Sequence, residues 1–194
     1  MTIDDYVIVS LSDMLKLYGE STTISTLSEF KSAHDSSTES FLKRNAISME
    51  KRDLCRTYLA VSRTEPSIHG YISLSIKCLN VPIENMLPST ILRGMNIDSS
   101  TGVAQSYLLG QLSRSTDAPK GLGGEMLDLA FDYLRSAKDI VGCRMVRLDC
   151  NDDLVDYYTD HGFRMIAKNK DGNLNQMMTF ILPKPDKGQE IETG

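Results

Sequence analysis

The segment Ala118-Pro119-Lys120-Gly121-Leu122-Gly123-Gly124-Glu125-Met126-Leu127 constrains the fold more than any other stretch of the chain. Ahead of it, Tyr107-Leu108-Leu109-Gly110-Gln111-Leu112 reads as a strand. Behind it, Leu127, Ala130, Leu134 and Ala137 recur at the spacing of one helix face. The order is therefore strand, glycine-rich turn, helix. Glycines at 121, 123 and 124 remove side chains where the backbone turns, so successive N–H groups can point outward together at the positive end of the helix dipole. Such a nest binds phosphate. The same glycines would equally let a helix lie close against a strand with no ligand present, so other residues have to decide.

What is missing narrows the phosphate ligand. A nucleotide-hydrolysing loop needs Lys followed by Ser or Thr after its second glycine; Gly124-Glu125 stands there and offers no hydroxyl to a magnesium ion. A dinucleotide fingerprint wants a glycine three residues beyond Gly123, where this chain has Met126.

Downstream, Arg144-Met145-Val146-Arg147-Leu148-Asp149-Cys150 reads as a strand with Val146, Leu148 and Cys150 on one face. Residues 151–161 follow as a helix capped by Asn151 or Asp152 and stopped by Gly162. A strand ending at Asn151, a tyrosine seven residues on at Tyr158, and Gly162-Phe163 four residues after that resemble the C-terminal half of the GCN5-related N-acetyltransferase family. Gly121-x-Gly123 resembles that family's Q/R-x-x-G-x-G/A diphosphate loop, at the expected distance upstream. Two departures accompany the match. Ala118 stands at the Gln or Arg position, and Pro119 brings no N–H to the cradle. Asp117 adds a negative charge near the loop, which Lys120 and Arg114 offset.

The resemblance implies a mixed α+β fold, with a central, mostly antiparallel sheet flanked by helices, and acetyl-CoA as acetyl donor to a primary amine by direct transfer. It implies that the backbone of Leu112, Ser113 and Arg114 pairs with the pantetheine arm. The N–H groups of Lys120, Gly121, Leu122, Gly123 and Gly124 would hold the diphosphate, with Asn151 also meeting the cofactor. Tyr158 would be the general acid beside the sulfur, since a phenol is suited to protonate a departing thiolate. Taken without the motif, Tyr158 reads as a core tyrosine one helical turn after Leu154. Tyr157 reads as structural and His161 as a helix-end residue. No general base is selected: Glu84, Glu125 and Asp149 are carboxylates near the expected site, and spacing does not choose among them.

In the N-terminal half, Phe41–Ala46, Arg56–Val61 and Gly70–Leu74, together with Ala137–Gly142, resemble the branch of the family whose members are toxins acetylating aminoacyl-tRNA. That branch implies charged tRNA as an alternative acceptor, and makes room for an antitoxin partner and a homodimer. An α-amine on an aminoacyl ester has a low pKa and needs no protein base, so the chemistry is coherent. A rival from another class is a non-catalytic acyl-CoA-binding or interaction protein, favoured by Ala118 and Pro119 in the loop.

Composition bounds the rest. With 194 residues, 41% of them hydrophobic, the chain fits one acetyltransferase domain over residues 1–182 and a disordered tail over 183–194. No stretch approaches the ~20 apolar residues of a membrane span, and Met1-Thr2-Ile3-Asp4-Asp5 lacks the basic and apolar regions of a signal peptide, so a cytoplasmic protein is expected. Cys55, Cys78, Cys143 and Cys150 form no CxxC pair and the three histidines are scattered, which argues against a metal site and against disulfides. A net charge of -5 excludes a protein that coats nucleic acid over its whole surface. A local patch is still available: residues 43–63 carry six basic groups (Lys43, Arg44, Lys51, Arg52, Arg56, Arg63) against Glu50 and Asp53. This basic helix is either a docking surface for tRNA or a solvated helix face.

Taken in order, Tyr6–Val9 is expected as a strand, then a short helix capped around Ser12-Asp13, with loops over the hydroxyl-rich runs 21–26 and 36–40. Arg56–Val61 and Gly70–Ile76 read as a hairpin turning at Glu65-Pro66. Asn80–Gly102 reads as a long connection, and 164–167 and 177–182 as two closing strands.

Overall fold

The computed structural model describes residues 5–65, 67–81, 87–98 and 100–183. Glu84, Pro66 and all of the expected tail except Pro183 lie outside these residues. Ten strands and six α-helices are laid down among them: β1 (Tyr6–Ser10), α1 (Leu11–Ser28), α2 (Ser36–Arg44), α3 (Ala46–Lys51), β2 (Arg56–Ser62), β3 (Ile68–Ile76) and β4 (Leu79–Asn80), then α4 (Ser89–Gly94), β5 (Ile97–Asp98), β6 (Val103–Ala104), β7 (Tyr107–Arg114), α5 (Leu122–Val141), β8 (Met145–Cys150), α6 (Val155–Asp160), β9 (Arg164–Lys168) and β10 (Asn175–Phe180).

Seven strands form one sheet in the order β1-β2-β3-β7-β8-β10-β9. Every pairing in it is antiparallel except that of β7 with β8, as expected for a mixed α+β protein. The period of two along each strand distributes side chains between layers. Leu59 and Tyr71 face α1 to α3 and pack with Leu11, Leu27, Leu42 and Ala46. Their neighbours Ala60 and Ile72 face the other way, onto Met126, Leu127 and Ala130 of α5. On the far half, Leu148 and Met177 join that α5 core, whereas Met145 and Met178 bury against Leu79, Met95 and Ala104. Helix α5 lies so close to β3 that a Cβ on Gly70 would meet the Met126 sulfur at 2.5 Å and the Ser113 carbonyl at 3.1 Å.

The hairpin of β2 with β3 and the closing strands lie where the pattern predicts. Three local expectations do not hold. Ser10, not Ser12, caps α1, its hydroxyl accepting from the Asp13 N–H at 3.0 Å. The hydroxyl run 21–26 is helical, because Thr23 donates to the Gly19 carbonyl at 2.7 Å and Thr26 to that of Thr22 at 3.0 Å; hydroxyls satisfied one turn back let a polar run stay in a helix kinked at Gly19. Residues 36–40 are likewise the first turns of α2, capped by Asp35, whose carboxylate accepts from the Ser37 N–H at 2.7 Å. The connection 80–102 contains α4 and β5, and β4 and β6 at its two ends complete a small three-stranded sheet, β4-β6-β5.

Candidate active site

Strands β7 and β8 are held together at one end only. Their register comprises Tyr107 with Val146 and Leu108 with Arg147, and beyond these pairs the strands diverge. The opposite edge of β7 stays paired with β3 as far as Arg114, so from Leu109 onward the edge facing β8 carries no partner strand. An open edge of this kind offers its N–H and C=O groups to an extended ligand. Leu112, Ser113 and Arg114 lie on it.

A bulge re-aims the side chains here. Ser73 pairs with Gln111 and Leu74 with Leu109, leaving Gly110 as the extra residue on β7. Leu109 and Leu112, three residues apart, therefore both pack with the α5 core. Ser113 turns to the other face, where its hydroxyl meets those of Ser32 and Thr38, each at 3.0 Å. This hydroxyl cluster ties the start of α2 to the cleft.

The cleft comprises two connected chambers. A larger one, of about 380 Å³, lies between β7 and the end of β8 and is lined by Phe41, Met49, Gln111, Leu148, Asp149 and Asn151 among others. A smaller one, of about 220 Å³, is bounded by Ser113, Arg114, Gly121, Gly123, Gly124 and Tyr157 among others. Five residues line both: Asp35, Thr38, Leu112, Leu154 and Tyr158.

The glycine turn forms the far wall of the smaller chamber. Gly121 caps α5 at φ +98°, a left-handed conformation that a side chain would strain. The N–H of Leu122 is used within the turn, donating to the Pro119 carbonyl at 3.4 Å, and that of Gly124 donates to Gly121 at 3.0 Å. The Leu122 side chain is buried in the α5 core. The backbone N–H groups of Lys120, Gly121 and Gly123 have no acceptor among the described residues. Arg114 supplies a cation beside position 118: its guanidinium donates to the Ala118 carbonyl at 3.4 Å and stands 3.4 Å from the His34 ring nitrogen. Asp117 borders a separate depression with Lys31 and Ser67, and the exposed Lys120 side chain lines neither chamber.

Tyr158 stands at the junction. It comes from α6, which a 3₁₀ turn over Asp152–Leu154 connects to β8. Its ring meets Phe163 and Tyr157 edge-on, with centroids 5.6 and 5.1 Å away. Burial, with smaller contributions from Tyr157 and Cys150, raises its phenol pKa, so the hydroxyl keeps its proton across the working pH range. Cys150, on the larger chamber's wall, is pushed up to about 11, first by burial and then by Asp149, and stays a thiol. Tyr157 faces the glycine turn. Its hydroxyl is closed off and unpartnered, and lies 3.5 Å from the position a Cβ would take on Gly123.

Asn151 lines the larger chamber but makes no side-chain cap; the 3₁₀ turn is fixed instead by Asp152, which accepts from Lys168 at 2.6 Å and from buried Asn175 at 2.8 Å. Asp149 is held by Arg147 and, at 3.7 Å, by Lys77. Glu125 lines neither chamber. Sequence reasoning did not pick out Asp35, Thr38 and Phe41, which reach the cleft from a distant segment. Asp-Ser-Ser-Thr reads from the sequence as part of a hydroxyl-rich loop, and in the structure it is the cap and first turn of α2.

The split between two parallel strands, the bulge beside it and the glycine turn opening α5 are consistent with the fold that the resemblance to the GCN5-related N-acetyltransferases implies. No protein-family model matches the sequence, and no curated protein is significantly similar to it. Solved structures are. One described as a bacterial toxin has a TM-score of 0.69 at 15% identity, covering 91% of this chain and 92% of the other. The toxin AtaT complexed with acetyl-methionyl-tRNAfMet gives 0.68 at 18% identity, over 88% of this chain and 94% of the other. AtaTR bound with AcCoA gives 0.65 at 18%, over 92% and 94%. At these identities the likeness is one of fold. Among the described residues no helix is long and apolar enough to cross a membrane.

Proposed function

We propose that this protein is an acetyl-CoA-dependent N-acetyltransferase of the cytoplasm, with residues 1–182 as one acetyltransferase domain, and that its acceptor is the α-amine of an aminoacyl-tRNA. The observation that carries the reading is the position of Tyr158, on the wall shared by a chamber ending in the glycine turn and a chamber open to an acceptor. The diphosphate would rest on the free N–H groups of the turn, with Arg114 alongside. The pantetheine arm would pair with the open edge of β7 at Leu112, Ser113 and Arg114, bringing the thioester to Tyr158. Asn151 borders the acceptor side.

The amine nitrogen attacks the thioester carbon, a C–N bond forms and the C–S bond breaks. The departing sulfur takes the Tyr158 proton, the nitrogen gives one proton to solvent, and solvent reprotonates the phenolate. The products are an N-acetyl amide and free thiol. Of the two carboxylates lining the larger chamber, Asp149 is tied to Arg147 and Lys77 and Asp35 to the N–H and hydroxyl of Ser37, so neither stands without a protein partner as a general base. That favours an acceptor already neutral near pH 7, which an aminoacyl ester is and a lysine side chain is not. The similarity to AtaT, solved with acetyl-methionyl-tRNAfMet and also with the C-terminus of the antitoxin AtaR, supports the same acceptor class and a toxin held in check by an antitoxin protein.

Incubating the protein with acetyl-CoA and total aminoacylated tRNA should release thiol, and mass spectrometry of the nuclease digest should find N-acetyl-aminoacyl-adenosine. Cofactor binding without thiol release, for charged tRNA and for small amines alike, would make the protein a non-catalytic acyl-CoA binder.

A further inference from the structure

We infer that Asp35 is the acceptor-binding carboxylate of this site: it holds the incoming amine at the junction of the two chambers, across from Tyr158. The inference rests on the acetyltransferase reading above and adds to it the residue that recognises the acceptor. Of the five residues that line both chambers, Asp35 alone is charged, and it is the sole carboxylate of the smaller chamber. Its counterpart in the larger chamber, Asp149, is neutralised by Arg147 and Lys77. Asp35 has no ion-pair partner among the described residues. Its oxygens accept only from the N–H and hydroxyl of Ser37, at 2.7 Å each. A carboxylate has about four acceptor sites, so roughly two are left for a ligand.

Position and charge point to the same occupant. The thioester carbon must lie where the chambers meet, and the attacking nitrogen must come within about 3–3.5 Å of it. An N–H donor or ammonium arriving there meets an uncompensated negative charge, which draws it in. A carboxylate nucleophile would be repelled by the same charge. The carboxylate is also fixed in place: it caps α2, and α2 is tied to β7 through Thr38, whose hydroxyl donates to the Asp35 carbonyl at 2.8 Å and meets the Ser113 hydroxyl at 3.0 Å. The geometry of the cap thus sets the geometry of the acceptor site.

Because Asn caps helices as well as Asp does, Asp35→Asn removes the charge and keeps the cap, whereas Asp35→Ala removes both. With total aminoacylated tRNA as acceptor, Asp35→Asn should lower kcat/KM about tenfold, ~1.4 kcal/mol, chiefly by raising the acceptor KM. The Kd for acetyl-CoA and the Tm should stay at wild-type values. Asp35→Ala should show the same catalytic loss plus a lower Tm. Full activity in Asp35→Asn would reduce the residue to a cap. A lower acceptor KM would mean that its charge merely repels the RNA. Either result overturns the inference, as would a parallel loss of acetyl-CoA affinity. The wild-type control separates the two levels: if it transfers no acetyl group to any acceptor, the acetyltransferase reading fails first.

Discussion

The two sides of the cleft are built by different means. The side proposed to hold the cofactor is made largely of backbone from one continuous stretch: the open edge of β7 and the glycine turn, 107–124, with α6 closing over it. The acceptor side adds to β7 side chains from distant places in the chain, among them α2, α3, β3 and the end of β8. Backbone recognition needs particular residues, chiefly glycines, at particular spacings, and so leaves a mark in the sequence. A wall of side chains from distant segments leaves almost none, because each member also makes sense as a cap or a core residue.

The contrast is easiest to break at the glycines. A carboxylate at position 123 would occupy the nest and repel the diphosphate, so Gly123→Glu should abolish acetyl-CoA binding by calorimetry. The fold should survive, since a Cβ there makes only an ordinary 3.5 Å contact with Tyr157. Unchanged affinity in a folded variant would show that the backbone cradle lies elsewhere. Next in size is Tyr158→Phe, which keeps the ring and deletes the donor. Single-turnover transfer should slow about 10²-fold to 10⁴-fold at an unaltered Kd for acetyl-CoA. The raised phenol pKa adds that the wild-type rate should show no loss of activity from Tyr158 ionising up to pH 10.

Smaller effects sharpen the acceptor side. Lys43 and Lys51 are paired with Glu39 at 2.6 Å and Glu20 at 2.9 Å; both pairs are open to solvent at least in part, where screening keeps ion pairs weak, so they could be exchanged for RNA phosphates. If the basic helices dock tRNA, reversing Lys43, Arg44, Lys51 and Arg52 together should flatten the slope of log affinity against log salt by about 0.7 to 0.9 per lost contact, with acetyl-CoA binding intact. An unchanged slope would return this patch to a solvated helix face. The smallest change concerns stability. Glu50, 4% exposed, accepts from the Thr57 N–H at 2.9 Å, and burial raises its pKa despite that bond and Arg56 nearby. The folded state therefore holds the Glu50 proton to higher pH than the unfolded chain, whose carboxyl titrates near 4.3, and stability falls as pH rises through that window. Glu50→Gln should match wild type below about pH 4 and exceed it at pH 7, by ~2–4 °C in Tm for each kcal/mol gained, with turnover unaffected.

The same contrast explains what could be read in advance. Strand alternation and the spacing from Gly121 to Phe163 were enough to place β7, α5, β8 and α6, and with them Tyr158. Local signals misled where a side chain had two partners open to it. Hydroxyls at 21–26 and 36–40 favour loops on average, yet here they bond one helical turn back or follow the Asp35 cap. Asn151 offered a helix cap, and Asp152 took the structural role by reaching β9 and β10. Tyr157 and Tyr158 are adjacent and chemically identical. Only the roll of α6 sets the Tyr157 hydroxyl against the glycine turn and Tyr158 on the wall shared by the two chambers.

The brief contact between β7 and β8 has one further consequence. Two registered pairs are all that join the four-stranded and three-stranded parts of the sheet by backbone, and an extended ligand lying along the open edge would act as a keystone between them. Loading the donor should then protect amides in both parts from hydrogen exchange together. Losing the spent thiol would mean loosening the arch, which puts product departure, rather than bond making, first in line to set the pace of turnover.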